Sequence, residues 1–133
     1  MAPSKITRLD PIAVMYLREY EKPGAEAFTE LEAVVGRKGR RFYGVFDQDA
    51  GRYRACVRPH EHDDPVSLGL STDTINGGLY AYERLRGDHE SLIALIASTF
   101  DALGERYSTD PARPSIEFYR RSDEFVLYLP IME

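Results

Sequence analysis

The chain has 133 residues, 43% of them apolar and 29% charged, with a formal net charge of −5. That length holds one domain with a real core and is too short for two. The acidic balance argues against general binding to nucleic acid, which needs a basic surface to neutralise phosphates, and no apolar run approaches the roughly 20 residues of a membrane span.

The opening MAPSKITRLDP lacks the apolar stretch of a secretory signal, so the expected location is cytoplasmic. From Ala13, AVMYLREY alternates β-branched and aromatic residues as a strand does, and EKPG breaks it. AEAFTELEAVVG sets Phe28, Leu31 and Val35 at helical spacing, with Gly36 where a helix would stop. The glycine-broken basic run Arg37-Lys38-Gly39-Arg40-Arg41 reads as a solvated loop. RRFYGVFD is a second strand, QDAG a turn, and RYRACVRP a third strand stopped by Pro59. A polar connector, HEHDDPVSLGLSTDTING, follows, with room for a short strand around 66–70. GLYAYERLR is the next strand and GDH a break. ESLIALIASTFDALG places Leu92, Ile96, Phe100 and Leu103 on one helical face, with Gly104 as the expected stop. YSTDPARP is a loop, SIEFYRR a strand, SD a turn, and EFVLYLP a last strand stopped by Pro130.

The order strand–helix–strand–strand therefore occurs twice, each time over about 50 residues. The expected organisation is one domain over 1–133: repeat one about 5–59, a connector about 60–76, repeat two about 77–133. The fold class is α+β. Each repeat has one helix, enough to cover one sheet face. Two pseudo-symmetric β-α-β-β repeats with antiparallel sheets and helices on one side would leave a central cleft suited to a small ligand.

Alternation sorts the side chains. Phe125, Leu127 and Leu129 form an apolar row for the helix side, opposite Glu124, Val126 and Tyr128. Tyr53, Ala55 and Val57 match that helix row, so Arg52, Arg54 and Cys56 point the other way. In SIEFYRR, Ile116 and Phe118 read as core, which sends Glu117 and Tyr119 to the cleft, with Gly44 and Phe46 as their counterparts. Tyr16 and Tyr82 are placed in the cleft, with Met15 and Tyr80 as alternatives. The candidate ligand-binding set is Tyr16, Phe46, Arg54, Cys56, Tyr82, Glu117, Tyr119, Val126 and Tyr128. Flat rings with one carboxylate and one guanidinium suit a flat, partly apolar molecule.

GGLYAYERLRGDHESLIALIASTFDALGERY followed by RPSIEFYRRSDEFVLYLPI resembles the GyrI-like small-molecule-binding domain. That family includes effector-binding domains of AraC-type and MerR-type multidrug regulators and stand-alone proteins. The likeness rests on YAYERLRG, the amphipathic helix, the EFY strand and the terminal LPI, in that order. It implies two repeats around a ligand cleft and binding of hydrophobic, often cationic, drug-like molecules. Some members resemble hydrolases of cyclopropane-bearing alkylators, and the namesake inhibits gyrase. Many members carry a cleft glutamate four residues before the last-strand proline. Here that position is Val126, a departure at a telling place.

The primary reading is a stand-alone binding protein for a hydrophobic or aromatic small molecule. One alternative is a hydrolase of electrophilic xenobiotics, with Glu117 orienting water and Tyr119 or Tyr128 assisting the leaving oxygen. The other is a protein-interaction module of the gyrase-inhibitor type. No cofactor and no metal are expected. His60, Glu61, His62, Asp63 and Asp64 have metal-ligand chemistry but lie in a polar connector with no second cluster. Cys56, the single cysteine, reads as a small strand residue that needs a nearby base to become a nucleophile. Asp88 or Ser91 reads as a helix cap. Neither nucleic acid nor membrane is an expected partner, and the chain is a monomer or a homodimer through an edge strand.

Overall fold

The computed structural model describes residues 5–133, so residues 1–4 of the expected domain lie outside it. The elements run β1 (Ile6–Leu9), β2 (Ile12–Tyr16), α1 (Ala25–Val35), β3 (Phe42–Asp47), β4 (Arg52–Val57), α2 (Pro65–Leu68), β5 (Ser71–Ile75), β6 (Gly78–Arg86), α3 (His89–Arg106), β7 (Ser115–Arg121) and β8 (Glu124–Pro130). Among the described residues all eight strands join one antiparallel sheet in the order β1-β6-β8-β7-β3-β4-β2-β5, an α+β fold.

An antiparallel sheet in each repeat was expected, and a single sheet is found. The middle strands β3 and β7 pair directly, with Gly44 opposite Glu117. Pairing satisfies the backbone donors and acceptors that two separate edges would leave open. Ala55, Gly44, Glu117 and Leu127 consequently form one row across β4, β3, β7 and β8 on the same face. Both long helices cover that face. Ala27, Phe28 and Leu31 of α1 pack on Met15, Tyr53, Ala55 and Val57. Leu92, Ile96 and Phe100 of α3 pack on Phe125 and Leu127, and Leu103 packs on Ala81 and Leu129.

The far face is also a core. Val14, Tyr43, Cys56, Ile75, Tyr80 and Ile116, from six different strands, form one buried cluster there. The sheet curls into a half-barrel, and right-handed twist accumulated over eight strands lets these side chains bury one another.

Three features differ from expectation. The connector segment 66–70 is not a strand. Pro65 starts a short helix instead, and Gly69 ends it at φ 73, before strand Ser71–Ile75. Proline's fixed φ suits a first helical turn and its missing N–H suits no ladder. Second, α3 runs through Gly104 to Arg106, held by the buried Leu103. A mid-helix glycine costs about 1 kcal/mol, less than that packing returns. Third, the basic run is only partly solvated. Arg40 pairs with Asp63, their side chains just 9% and 13% exposed, and holds the Asp63 carboxyl down at about 2. The pair ties the 37–41 loop to the His60–Asp64 tract. Among the described residues no group of three or more His, Cys, Asp or Glu side chains is placed to share a metal ion.

Candidate functional site

The nine predicted residues fall on two faces. Tyr16, Arg54, Cys56, Tyr82, Val126 and Tyr128 lie on the far face, as their alternation requires. Phe46, Glu117 and Tyr119 lie on the helix face. Their placement opposite Ile116 and Phe118 is right, but the side was inverted: Ile116 and Phe118 belong to the far-face core. Apolar character pointed Ile116 and Phe118 toward a helix because a sheet with one buried face was assumed, whereas both faces here are buried. Tyr80 and Tyr82 share the far face, and Met15 faces the helices.

At the centre of the far face two of the predicted residues are buried. Cys56 is 1% exposed and Val126 3%. Arg54 lies over the Tyr16 ring at 4.4 Å and pairs with Glu19 at 2.6 Å and with Asp73, so it has no contact with Glu117 across the sheet. Burial pushes the Cys56 thiol up to about 12, against the pull of the Arg54 charge, which removes the thiolate a nucleophile needs. Cys56 in the native protein is expected to react with an aromatic disulfide reagent about a hundredfold more slowly than in denaturant. Rapid stoichiometric labelling of the native thiol would contradict this burial. At the start of α3, Asp88 accepts from the Ser91 backbone N–H at 3.2 Å, the cap reading, and His89 Nδ1 lies 2.8 Å from the Ser122 carbonyl oxygen.

The helix face contains a different constellation. Glu117 is 4% exposed at the centre of the sheet. The Tyr53 hydroxyl donates to its Oε1 at 2.9 Å and the Tyr119 hydroxyl to the same oxygen at 2.5 Å. Oε2 has no hydrogen-bond partner, and Glu117 has no cationic partner, among the described residues. Burial raises the Glu117 pKa above 4.5, and the two tyrosine bonds only partly oppose it. The Tyr53 and Tyr119 phenols are pushed strongly upward by burial and by the adjacent carboxyl, so both remain donors. This group fits because residue 44 is glycine. A Cβ there would overlap both the Tyr53 hydroxyl and Glu117 Oε1.

Further aromatic rings pack against the two tyrosines. Phe28 of α1 stands edge-on to Tyr119 at 4.9 Å and to Tyr53 at 6.2 Å, and Phe46 lies 6.2 Å from Tyr53. One row along the sheet, the pair Phe46 and Ser115 forms part of an open cleft of about 500 Å³. That volume suits a small ligand. Phe100, Asp101, Gly104 and Glu105 of α3 line one wall, Asp47 at the end of β3 with Gln48 and Asp49 after it another, and Thr109, Asp110, Pro111 and Arg113 come from the loop before β7. Arg113 secures that loop by donating to the Leu79 and Ile131 carbonyls at 3.0 and 2.9 Å and to Asp110 at 3.0 Å. With Arg113 offset by Asp110, the lining carboxylates Asp47, Asp49, Asp101 and Glu105 make the cleft acidic.

Tyr53, Gly44 and the acidic lip were missing from the predicted site. Alternation had correctly put Tyr53 on the helix side, where it read as core. Its pairing with Glu117 joins residues 64 apart in sequence, a relation no local pattern carries.

By sequence the chain matches no family model and no curated protein. Its fold is shared with solved structures. An integron cassette protein from the mobile metagenome of Vibrio cholerae superposes with a TM-score of 0.74 at 11% identity, over 96% of this chain and 95% of that one. A protein solved bound to tetraphenylphosphonium gives 0.64 at 11% identity, over 98% and 94%. A structure described as a hydrolase from Listeria innocua gives 0.58 at 12% identity, over 98% and 94%. At such identities the likeness is one of fold.

Proposed function

We propose that this protein binds small hydrophobic or aromatic molecules, lipophilic cations above all, in the helix-face cleft beside Glu117. The observation that carries the reading is a buried carboxyl held by the hydroxyls of two tyrosines, themselves packed against Phe28 and Phe46, and lacking any cationic partner among the described residues. A delocalised cation sheds water cheaply, meets ring faces favourably and supplies the missing positive charge. The acidic lip would raise its local concentration. Glu117 lies on the opposite face of the sheet from Val126, so its carboxyl is a separate group and not a substitute for the glutamate lacking there. The shared fold of the tetraphenylphosphonium-bound protein supports the same ligand class. The two strand–helix–strand–strand units are read as repeats, in the stand-alone GyrI-like manner.

The test is calorimetric titration with tetraphenylphosphonium at a series of pH values from 4.5 upward, each in two buffers of different ionisation heat. A cation beside Glu117 favours its ionised form, so binding is expected to release protons, and the apparent heat differs between buffers. Phe46→Ala is expected to weaken binding about tenfold by removing one ring. Absence of binding, or binding indifferent to both buffer and Phe46, would overturn the assignment.

A second reading has its own support. A carboxyl with a raised pKa between phenol donors is equipped for general acid–base chemistry, and the fold is shared with a hydrolase. Turnover of an electrophilic cyclopropane or epoxide that is lost in Glu117→Gln would favour it.

A further inference from the structure

The far face ends in a cluster of opposite character. Glu124 opens β8 with its side chain only 6% exposed, and three guanidiniums converge on its Oε2: Arg84 at 3.4 Å, Arg120 at 3.4 Å and Arg86 at 3.8 Å. The arginines themselves are 46%, 45% and 69% exposed. One carboxylate offsets one of three positive charges, leaving a surplus of two on a chain whose formal net charge is −5. None of the three has another carboxylate partner among the described residues. Each guanidinium carries five donors, and one oxygen accepts few of them. The remainder are held close together facing water.

The strand register sets aromatic surface beside this charge. Arg84 pairs with Val126, and Val126 pairs with Phe118. Two residues along β8 from Val126, on the same face, Tyr128 is partly exposed. Phe118 is partly exposed as well and stacks on Tyr43 at 4.8 Å, so its ring is fixed.

We propose that Arg84, Arg86 and Arg120 form an anion-binding site for the sulfonate, phosphate or carboxylate group of a small aromatic molecule, whose ring lies toward Phe118 and Tyr128. Planar guanidinium forks match oxyanions in geometry, and a tetrahedral or planar head group can accept from two or three at once. Glu124 acts as a placeholder. It keeps three like charges together in the free protein and competes with the ligand for their donors. The site lies across the sheet from the cleft and takes ligands of the opposite charge.

The experiment compares naphthalene-2-sulfonate, uncharged 2-naphthol and inorganic sulfate by titration, on the wild type, Arg120→Gln and Glu124→Gln. Naphthalene-2-sulfonate is expected to bind best and to weaken with added salt. Arg120→Gln, a surface substitution that leaves the fold intact, is expected to lose about tenfold in affinity. Glu124→Gln moves in the other direction: without the competing carboxylate, affinity rises about tenfold, and the sulfonate raises the variant's Tm more than the wild type's. That gain cannot come from general damage to the fold. Equal binding of 2-naphthol and the sulfonate would refute the anion site. Equal binding of sulfate and the naphthalene compound would refute the aromatic part. Unchanged affinity in Arg120→Gln, or no gain in Glu124→Gln, would refute the tripod.

Discussion

Glu117→Gln is expected to give a more stable protein that binds lipophilic cations about 30-fold less tightly, a loss near 2 kcal/mol. Glutamine keeps the shape, and its amide oxygen still accepts from Tyr53 and Tyr119. What disappears is a carboxyl whose folded-state pKa is raised above 4.5 by burial. The sign follows from linkage. The neutral acid is preferred in the folded protein, so its contribution to stability is fully present below about pH 4.5 and is lost as pH rises through the folded value. The glutamine variant has no such loss. Denaturant melts should therefore show little difference between the two proteins at about pH 4, and a gap of order 1–3 kcal/mol in favour of glutamine above neutrality. A wild type that remains the more stable protein across that range would mean that Glu117 has a cationic partner or is well hydrated. Stability and affinity moving in opposite directions would identify Glu117 as a group retained for binding.

Gly44→Ala is expected to destabilise the fold by about 3 kcal/mol, a fall of roughly 10 °C in Tm. The added methyl would overlap the Tyr53 hydroxyl and Glu117 Oε1 and would lie 3.0 Å from Tyr53 Cζ. Neither group yields easily: Tyr53 is 1% exposed in the core under α1, and Glu117 is fixed by two hydrogen bonds. Gly44 also sits where β3 and β7 join the two halves of the sheet, so the backbone cannot back away without breaking a central ladder. Tyr53→Phe should relieve part of the clash by deleting the hydroxyl. The double variant Gly44→Ala/Tyr53→Phe is thus expected to be more stable than the two separate losses predict when added. Strict additivity, or a silent Gly44→Ala, would show that the close approach has no energetic consequence.

The two faces explain what was legible and what was not. In β8, the row Phe125, Leu127 and Leu129 is purely apolar and is the row that meets α3. In β4, Arg52 and Arg54 leave only Tyr53, Ala55 and Val57 for the helix, and those residues pack on α1. In β7 both rows are partly apolar, Ile116 and Phe118 against Glu117 and Tyr119. Hydropathy sent the glutamate away from the helices. The structure puts it beneath them, because the other row is needed for the far-face core. The basic run misled in a similar way: its composition reads as solvated, yet Arg40 finds Asp63 across 23 positions and is drawn in. Formal net charge likewise gave no hint of an acidic cleft on one face and an arginine cluster on the other, because a sum over the chain discards position.

Short-range order was therefore determined by the sequence alone. Periods of 2 and 3.6 residues, with glycine and proline as punctuation, mark strands, helices and the residues that share a face. For β7, where both rows are partly apolar, only the tertiary structure decided which face meets the helices. Alternation has two phases of equal standing, and the choice between them depends on what covers each side. The pairing of β3 with β7 and the curl of the whole sheet make both sides buried. Those two long-range features also bring Tyr53, Gly44 and Glu117 together, since hydrogen bonds between distant segments form only once the sheet that aligns them is complete.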